Sequence, residues 1–222
     1  EPLGYANLGL IYMRMSGELD QSEEWLLKAL KLAPDDPDIR LLLAKVYELT
    51  NREPQAVSTL ENTLKKHPDH IRTLYQLALY YTKMQDLQIR ERAADYLAQV
   101  VNALPANVAA SLRLIELLLH SEIPGDALQQ MEIIQQTLPR LPDGSLELFS
   151  KTLELIRNGE AKKAYTPVIM LHNLMKPTSI YQAAIKELRG TNGPVAGAPV
   201  YRFLGTQLPA RDKTVQIPGT FT

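Results

Sequence analysis

Residues 36–68 read DPDIRLLLAKVYELTNREPQAVSTLENTLKKHP, and this stretch decides the fold. It contains two successive patterns in which apolar and small residues recur at helical spacing. The residues that carry the two patterns are Leu43, Ala44, Tyr47, Ala56 and Leu60. They predict two amphipathic helices that cross at small residues, followed by a turn at Pro68, which lies 34 residues after Pro34. A unit of this size cannot bury its own apolar faces, so neighbouring units must repeat it.

The same pattern recurs on both sides of this stretch. The closing prolines, at spacings of 34, 37 and 34 residues, are Pro34, Pro68, Pro105 and Pro139. The small and apolar residues in register are Leu8, Gly9, Tyr12 and Ala29 before the stretch, and Leu77, Ala78, Tyr81, Ala93, Leu97, Leu114, Ile115, Ala127 and Met131 after it. Asp20 is predicted to cap the second helix of the first unit. The sequence therefore predicts four helical hairpins in series.

A fifth, less regular hairpin is predicted at residues 145–157 and 160–175. Pro167 is expected to kink or split its second helix, because proline removes a backbone hydrogen bond and crowds the preceding turn. A short helix follows at residues 179–189 and stops at Gly190. We expect this helix to cap the exposed end of the stack. The predicted domains are a helical array with its capping helix over residues 1–189 and a tail over residues 190–222.

The tail differs in composition, since residues 190–222 hold five of the eleven glycines and four of the fifteen prolines. Val200–Leu204 and Thr214–Ile217 are short strand-like runs bounded by Gly or Pro. The tail is either disordered or an extended arm on another surface, and we favour the arm. We expect it to add a strand to an open sheet edge of a partner. The residues expected to make this contact are Val200, Tyr201, Phe203, Leu204, Val215 and Ile217.

The repeats resemble the tetratricopeptide repeat (TPR) family over residues 3–139, and less regularly as far as residue 177. The resemblance implies an all-α, right-handed superhelical solenoid of about five hairpins. It also implies an inner groove, lined by the first helix of each hairpin, which holds a peptide or partner helix without chemistry of its own. Some TPR proteins clamp the acidic C-terminus of a chaperone, and the matching positions here are Ala6, Leu10, Leu42, Arg72 and Gln76. Only Arg72 suits an anion, so this ligand is not expected.

Projecting the pattern onto the groove gives a mixed surface with an apolar floor, suited to an amphipathic helix or an extended apolar segment. The predicted partner-binding residues are Leu41, Leu42, Lys45, Glu48, Arg72, Tyr75, Gln76, Leu79, Lys83, Leu112, Arg113, Glu116 and His120. The alternative is that Leu41, Leu42 and Leu79 only pack between neighbouring helices.

A second resemblance concerns the tail. Residues 198–204, APVYRFL, followed by a Pro-containing link and a closing Phe221-Thr222, look like the connector in bacterial exported proteins in which TPR repeats lead into FG-GAP-type β-propellers. This resemblance implies an extracytoplasmic location, in the periplasm or outside the cell, and a longer chain.

Composition narrows the function classes. With 24 basic and 25 acidic residues among 222, the net charge of −1 argues against a dedicated nucleic-acid-binding protein. Cysteine is absent, which excludes disulfides and thiolate metal sites. No apolar run approaches the roughly 18–20 residues that span a bilayer. His67 and His70 stand close in sequence, but a structural metal needs about four ligands. We therefore predict no metal, no cofactor and no enzymatic activity.

Three functional hypotheses follow. The first is a protein-interaction scaffold within a multi-protein assembly. The second is a self-assembling subunit of a ring, filament or lattice. The third is a region that recruits substrate for an enzyme elsewhere in the same polypeptide. Because the chain begins at Glu1, already inside a repeat, we expect it to be part of a longer protein.

Overall fold

The computed structural model describes residues 1–15, 17–84, 86–120, 124–137, 141 and 144–190, which form eleven α-helices and no strand. In chain order the helices are α1 (Pro2–Arg14), α2 (Leu19–Leu32), α3 (Pro37–Leu49), α4 (Glu53–Lys66), α5 (Ile71–Tyr81), α6 (Leu87–Ala103), α7 (Val108–His120), α8 (Pro124–Thr137), α9 (Ser145–Arg157), α10 (Ala161–Met175) and α11 (Ser179–Arg189). None of these described helices is both long and apolar enough to cross a bilayer. The predicted all-helical fold is confirmed for the described residues, whereas Pro139 and all of the predicted arm (residues 190–222) except Gly190 lie outside them.

Local sequence sets several of the observed helix starts. Asp36 Oδ1 accepts hydrogen bonds from two backbone N–H groups of α3, at 2.9 and 3.0 Å. Asp86 caps α6 and Thr178 caps α11 in the same way. The predicted cap at Asp20 is wrong, because α2 already begins at Leu19 and has no side-chain cap. The acidic residue lies instead in the first turn, where its charge still suits the helix dipole.

The first four hairpins are stacked in series. Each helix packs against the next one in the chain, so that the second helix of one hairpin contacts the first helix of the following hairpin. The first helices α1, α3 and α5 also lie side by side. Gly9, Ala44 and Ala78, the small residues predicted at the helix crossings, are all buried. This is the solenoid packing that the repeat pattern predicts.

The apolar interior forms two clusters. A small one joins α1, α2 and α3, and its buried members are Ala6, Leu26, Ala29, Ile39, Leu43 and Val46. A much larger one extends from α3 to α11. Tyr47 is half-buried and packs against both clusters, so it links them.

The fifth hairpin departs from the serial pattern. α9 contacts α8, but it is α10 that packs broadly against α7. The reason lies in α10, whose buried residues Ala164, Val168, Leu171 and Met175 form one continuous stripe. Pro167 does not split α10, which runs as a single helix through the buried proline. That part of the prediction is wrong.

α11 lies across α5 and α7 rather than over the end of the stack. The predicted capping position is therefore wrong. The helix is strongly amphipathic, and its buried residues are Tyr181, Ala184 and Leu188. An amphipathic pattern shows that a helix buries one face, but it does not show which surface receives that face.

Candidate functional site

An open cavity of about 660 Å³ runs along the first helices α1, α3 and α5 and reaches α7 and the end of α11. We call it the open half of the groove. Nine of the thirteen predicted partner-binding residues line it, namely Leu41, Leu42, Lys45, Glu48, Arg72, Gln76, Leu79, Lys83 and Arg113. The structure thus brings these nine residues together on one surface. Their binding of a partner stays a prediction.

α1 and α11 add residues to this cavity that were not among the predicted partner-binding residues. α1 contributes Leu10 and Met13, and α11 contributes Leu188 and Arg189. The repeat pattern indicates Leu10 as a groove residue, because it occupies the position of Lys45 one repeat earlier. No sequence signal identifies the two α11 residues, since they belong to no repeat and reach the cavity only because α11 turns back onto α5 and α7.

Equivalent positions of successive repeats are joined by an ion pair at the wall of the cavity. Arg72 NH2 lies 2.9 Å from Asp38 Oδ1 and 3.0 Å from Asp38 Oδ2, and the two residues stand 34 positions apart. His70 Nε2 lies 3.3 Å from the same carboxylate. The hydrogen bond from His70 and the charge of Arg72 hold the pKa of Asp38 below its ordinary value, although partial burial opposes them. This arrangement fixes the Arg72 side chain.

Tyr80 lines the cavity, but its hydroxyl oxygen is itself buried. Its side chain is only 4% exposed, and its hydroxyl makes no hydrogen bond to any described residue. Burial, followed by the charge of Glu48, raises its pKa well above the ordinary value for tyrosine. The Nζ atom of Lys83 lies 5.2 Å from the centre of the ring. The hydroxyl is therefore neutral at physiological pH.

The rest of the groove is covered by the chain itself. Tyr75 on α5 and Leu112 on α7 were predicted to face a partner, but they are 3% and 1% exposed. Tyr75 lies close enough to Arg189 and Tyr181 on α11 to interact with them electrostatically. Burial raises the pKa of the Tyr75 hydroxyl. We call the part of α5 and α7 beneath α10 and α11 the covered half of the groove. A partner has no access to Tyr75 or Leu112 while these helices stay in place.

A chain of hydrogen bonds ties α7, α10 and α11 together in the covered half. His172 is 1% exposed, with Nδ1 2.6 Å from Glu116 Oε1 and Nε2 2.7 Å from the Tyr181 hydroxyl. Burial raises the pKa of Tyr181 to about 12. Glu116, predicted to contact a partner, therefore has a structural contact in this arrangement. His172 is thus packed between α7 and α11.

Asn107 fixes α11 from the other side. Its Nδ2 donates to the backbone carbonyl of Ala184 at 3.0 Å and to Glu187 Oε2 at 2.8 Å. Its Oδ1 accepts from the N–H of Ala110 at the start of α7. One buried amide thus holds the first turn of α7 and the middle of α11 together.

The remaining predicted site residues fall elsewhere. His120 is exposed at the end of α7, with Nε2 2.6 Å from Arg90 NH1 and its ring 5.5 Å from that of Tyr165. The arm residues Val200, Tyr201, Phe203, Leu204, Val215 and Ile217 lie outside the described residues. Within the part of the chain that the structure describes, no group of three or more potential metal ligands comes together.

Comparison with protein families and curated proteins points to one kind of repeat. Residues 13–79 match the tetratricopeptide repeat model. Human protein O-mannosyl-transferase TMTC3 is 39% identical over 77 residues, which are 33% of this chain and 8% of that protein. Mouse interferon-induced protein with tetratricopeptide repeats 2 is 35% identical over 83 residues, which are 37% of this chain and 17% of that protein. The chain thus spans less than a fifth of the curated relatives it matches.

Solved structures agree on the fold over most of the chain. A crystal structure of MamA aligns with a TM-score of 0.54 at 18% identity and covers 80% of this chain and 95% of its own. YrrB, described as a TPR protein with an unusual peptide-binding site, aligns with a TM-score of 0.57 at 18% identity, covering 84% of this chain and 92% of its own. The TPR resemblance of the sequence is supported by both kinds of comparison. The resemblance to propeller connectors is not shown by them and stays a prediction, as do a bacterial source and an extracytoplasmic location.

Proposed function

We propose that this chain is a protein-interaction scaffold that holds a segment of a partner protein in the open half of its groove. The observation that carries the proposal is the cavity of about 660 Å³ along α1, α3 and α5. Its size falls within the usual range for binding pockets, about 300–1,000 Å³. TPR-fold proteins are commonly interaction scaffolds, and the peptide-binding site of YrrB supports the same use of the fold here.

The chemistry of the cavity suits a segment with both apolar and polar side chains. Six leucines and Met13 supply the apolar part of the lining, and charged side chains surround them. The leucines that form the floor between α3 and α5 are Leu41, Leu42 and Leu79, and all three are half-buried. They pack against neighbouring helices and still line the cavity, which supports their proposed contact with a partner. α11 supports an amphipathic occupant, because it is itself such a helix seated on the same row of helices.

The test is selection of displayed random peptides on the immobilised chain. Leu42→Glu places a carboxylate in the floor of the cavity and should abolish enrichment. Leu87→Glu is the matched control, because Leu87 is 71% exposed on α6, away from the groove. Circular dichroism of both variants checks that the helices persist. If Leu42→Glu enriches the same peptides as the control, the groove is not the binding surface.

The arm is a second proposed contact, motivated by the strand-like runs at residues 200–204 and 214–217. Deleting residues 190–222 should leave the helices folded and abolish binding of a partner that uses the arm. Unchanged affinity of a selected partner after this deletion would remove the arm from the proposal.

The two other hypotheses stay predictions. Self-assembly is favoured by apolar exposure on the first hairpin, where Ile11, Leu27 and Leu32 are 51%, 41% and 57% exposed. A monodisperse monomer at high concentration in light scattering argues against it. Recruitment of substrate for an enzyme is favoured only by the partial match to TMTC3, and a catalytic domain in the full reading frame would support it.

A further inference from the structure

The lining of the open half carries a marked excess of basic residues. Six of its seventeen residues are arginine or lysine, whereas one, Glu48, is acidic. The basic residues are Arg14, Lys45, Arg72, Lys83, Arg113 and Arg189. This asymmetry is local, because the whole chain has a net charge of −1.

Carboxylates near the wall offset part of this charge. Lys45 Nζ lies 2.7 Å from Glu48 Oε2, and Arg72 is paired with Asp38. The Glu116 carboxylate lies 3.0 Å from Arg113, and Glu53 lies 3.9 Å from Lys83. Lys45, Arg72, Lys83 and Arg113 thus each have a carboxylate partner.

Arg189 stands apart from the other cations. Among the described residues it forms no ion pair, and its neighbours in electrostatic reach are the neutral hydroxyls of Tyr75 and Tyr181. It is exposed at the last position of α11 and lines the cavity next to Leu188, which is buried. A cation in this position attracts an anion that enters the open half.

The end of α11 is placed against the wall by a close backbone approach. Gly190 has a φ of +74°, and a Cβ at this position would lie 2.6 Å from Arg72 NH1. Only glycine avoids both the strained backbone and this contact. α11 therefore ends directly on the cavity wall, and its last residues belong to the site.

We infer that the open half binds an acidic segment of another protein that also carries leucine-sized side chains, and that α11 completes this site through Leu188 and Arg189. The inference rests on the proposed function and names the chemistry of its ligand. Leucines of the segment would contact the leucine floor, and its carboxylates would pair with Arg189 and with the exposed Lys45 and Lys83.

The tail of the same chain fits this site poorly. Residues 191–222 contain Arg202, Arg211 and Lys213 against a single acidic residue, Asp212. Their charge has the same sign as that of the cavity wall. Charge complementarity therefore favours an acidic segment from a different molecule over the chain's own tail.

The experiment compares three labelled peptides that share the same leucines and differ only in their polar residues, which are Glu, Gln or Lys. Fluorescence anisotropy with the full chain should give a dissociation constant about tenfold lower for the Glu peptide than for the Gln peptide. Raising the salt concentration should weaken the Glu peptide alone, because exposed charges are screened. The Lys peptide should bind most weakly of the three.

Two charge reversals on α11 test its part in the site. Arg189→Glu should weaken binding of the Glu peptide about tenfold. Lys186→Glu makes the same change of charge on the same helix at an exposed position outside the cavity, and it should change the affinity little. Equal losses in the two variants would overturn the assignment of α11 to the site.

The outcomes separate this inference from the proposed function. If the Glu and Gln peptides bind equally and Leu42→Glu abolishes both, the groove binds peptides but the acidic preference is wrong. If peptides bind and Leu42→Glu has no effect, the groove proposal fails and this inference fails with it. Absence of binding by all three peptides, together with no enrichment in the peptide selection, overturns both.

Discussion

At the scale of single residues, the first hairpin depends on a position that has no side chain. Gly9 is buried where α1 crosses α2, and its carbonyl accepts a 2.7 Å hydrogen bond from Ser22 Oγ. A Cβ at Gly9 would lie 2.6 Å from Leu26 Cγ, and Leu26 is fully buried. The two helices can approach this closely only because Gly9 leaves room.

Replacement of this glycine by alanine should destabilise the protein, although alanine favours a helix. The gain in helix propensity is at most about 1 kcal/mol, whereas overpacking typically costs about 1–3 kcal/mol. We expect Gly9→Ala to lower the free energy of unfolding by about 1 kcal/mol, measured by urea denaturation. Gly4→Ala in the same helix is the control, because a Cβ there meets nothing within 4 Å. If both variants stabilise the protein equally, the close crossing is not a constraint.

The ion pair between Asp38 and Arg72 should make stability depend on pH. The pKa of Asp38 is lowered in the folded protein, so its carboxylate stabilises the fold above the ordinary pKa of aspartate, about 3.9. That contribution is lost as the pH falls further through the folded-state pKa. Asp38→Asn should therefore cost about 1 kcal/mol at neutral pH, and the cost should shrink in acid.

Chemical denaturation of the wild-type protein and the Asp38→Asn variant at a series of pH values measures this difference. Asp95→Asn, at an exposed position on α6, controls for the loss of one negative charge. A cost for Asp38→Asn that stays constant from neutral pH into acid would contradict the role given to the pair with Arg72 and to His70.

At the scale of elements, the sequence predicts the helices that belong to regular repeats, but it does not predict where the less regular α10 and α11 pack. The helices of the first four hairpins follow from apolar spacing and from the recurring small residues, of which Gly9, Ala44 and Ala78 are buried as expected. The same spacing located most of the open half of the groove, because equivalent positions in successive first helices share one face. These features depend on contacts between near neighbours in the chain.

α10 and α11 could not be placed from the sequence. Their positions depend on long-range contacts, such as the hydrogen bond from Asn107 to the carbonyl of Ala184, 77 residues away. The contact between His172 and Glu116 is likewise formed across 56 residues. A single amphipathic helix fits any apolar surface of suitable shape, so its sequence does not identify α5 and α7 as its neighbours. For this reason Tyr75 and Leu112 were expected to be open to a partner.

The placement of α11 predicts unequal effects of one substitution at two adjacent positions. Ala184 is 7% exposed against the groove, whereas Ala183 is exposed. Ala184→Asp would bury a carboxylate without a partner, which is strongly unfavourable, so it should displace α11. Hydrogen exchange should then show fast-exchanging amides in α11 and retained protection in α3–α6. Ala183→Asp should leave α11 protected, and equal protection of α11 in the two variants would contradict the observed packing.

At the scale of the whole molecule, the presence of two separate apolar clusters affects how the chain unfolds. In a linear array each repeat contacts only its neighbours, so stability is a sum of local terms. Here α11 and α10 add contacts back to α5 and α7, which tie the C-terminal part into one larger cluster. The first hairpin has no such tie among the described helices, and its cluster reaches only as far as α3.

Removal of one leucine from each cluster should therefore have effects of different extent. Leu26 and Leu97 are both fully buried, and truncation of a buried leucine to alanine costs about 2–5 kcal/mol. Leu26→Ala should speed hydrogen exchange in α1–α3 and leave α7–α11 protected, because the first hairpin can open alone. Leu97→Ala should lower protection from α5 to α11 together, since the larger cluster is shared among these helices. If Leu26→Ala lowers protection equally in every helix, the chain unfolds as a single unit. The first hairpin would then not unfold separately from the helices that α10 and α11 hold together.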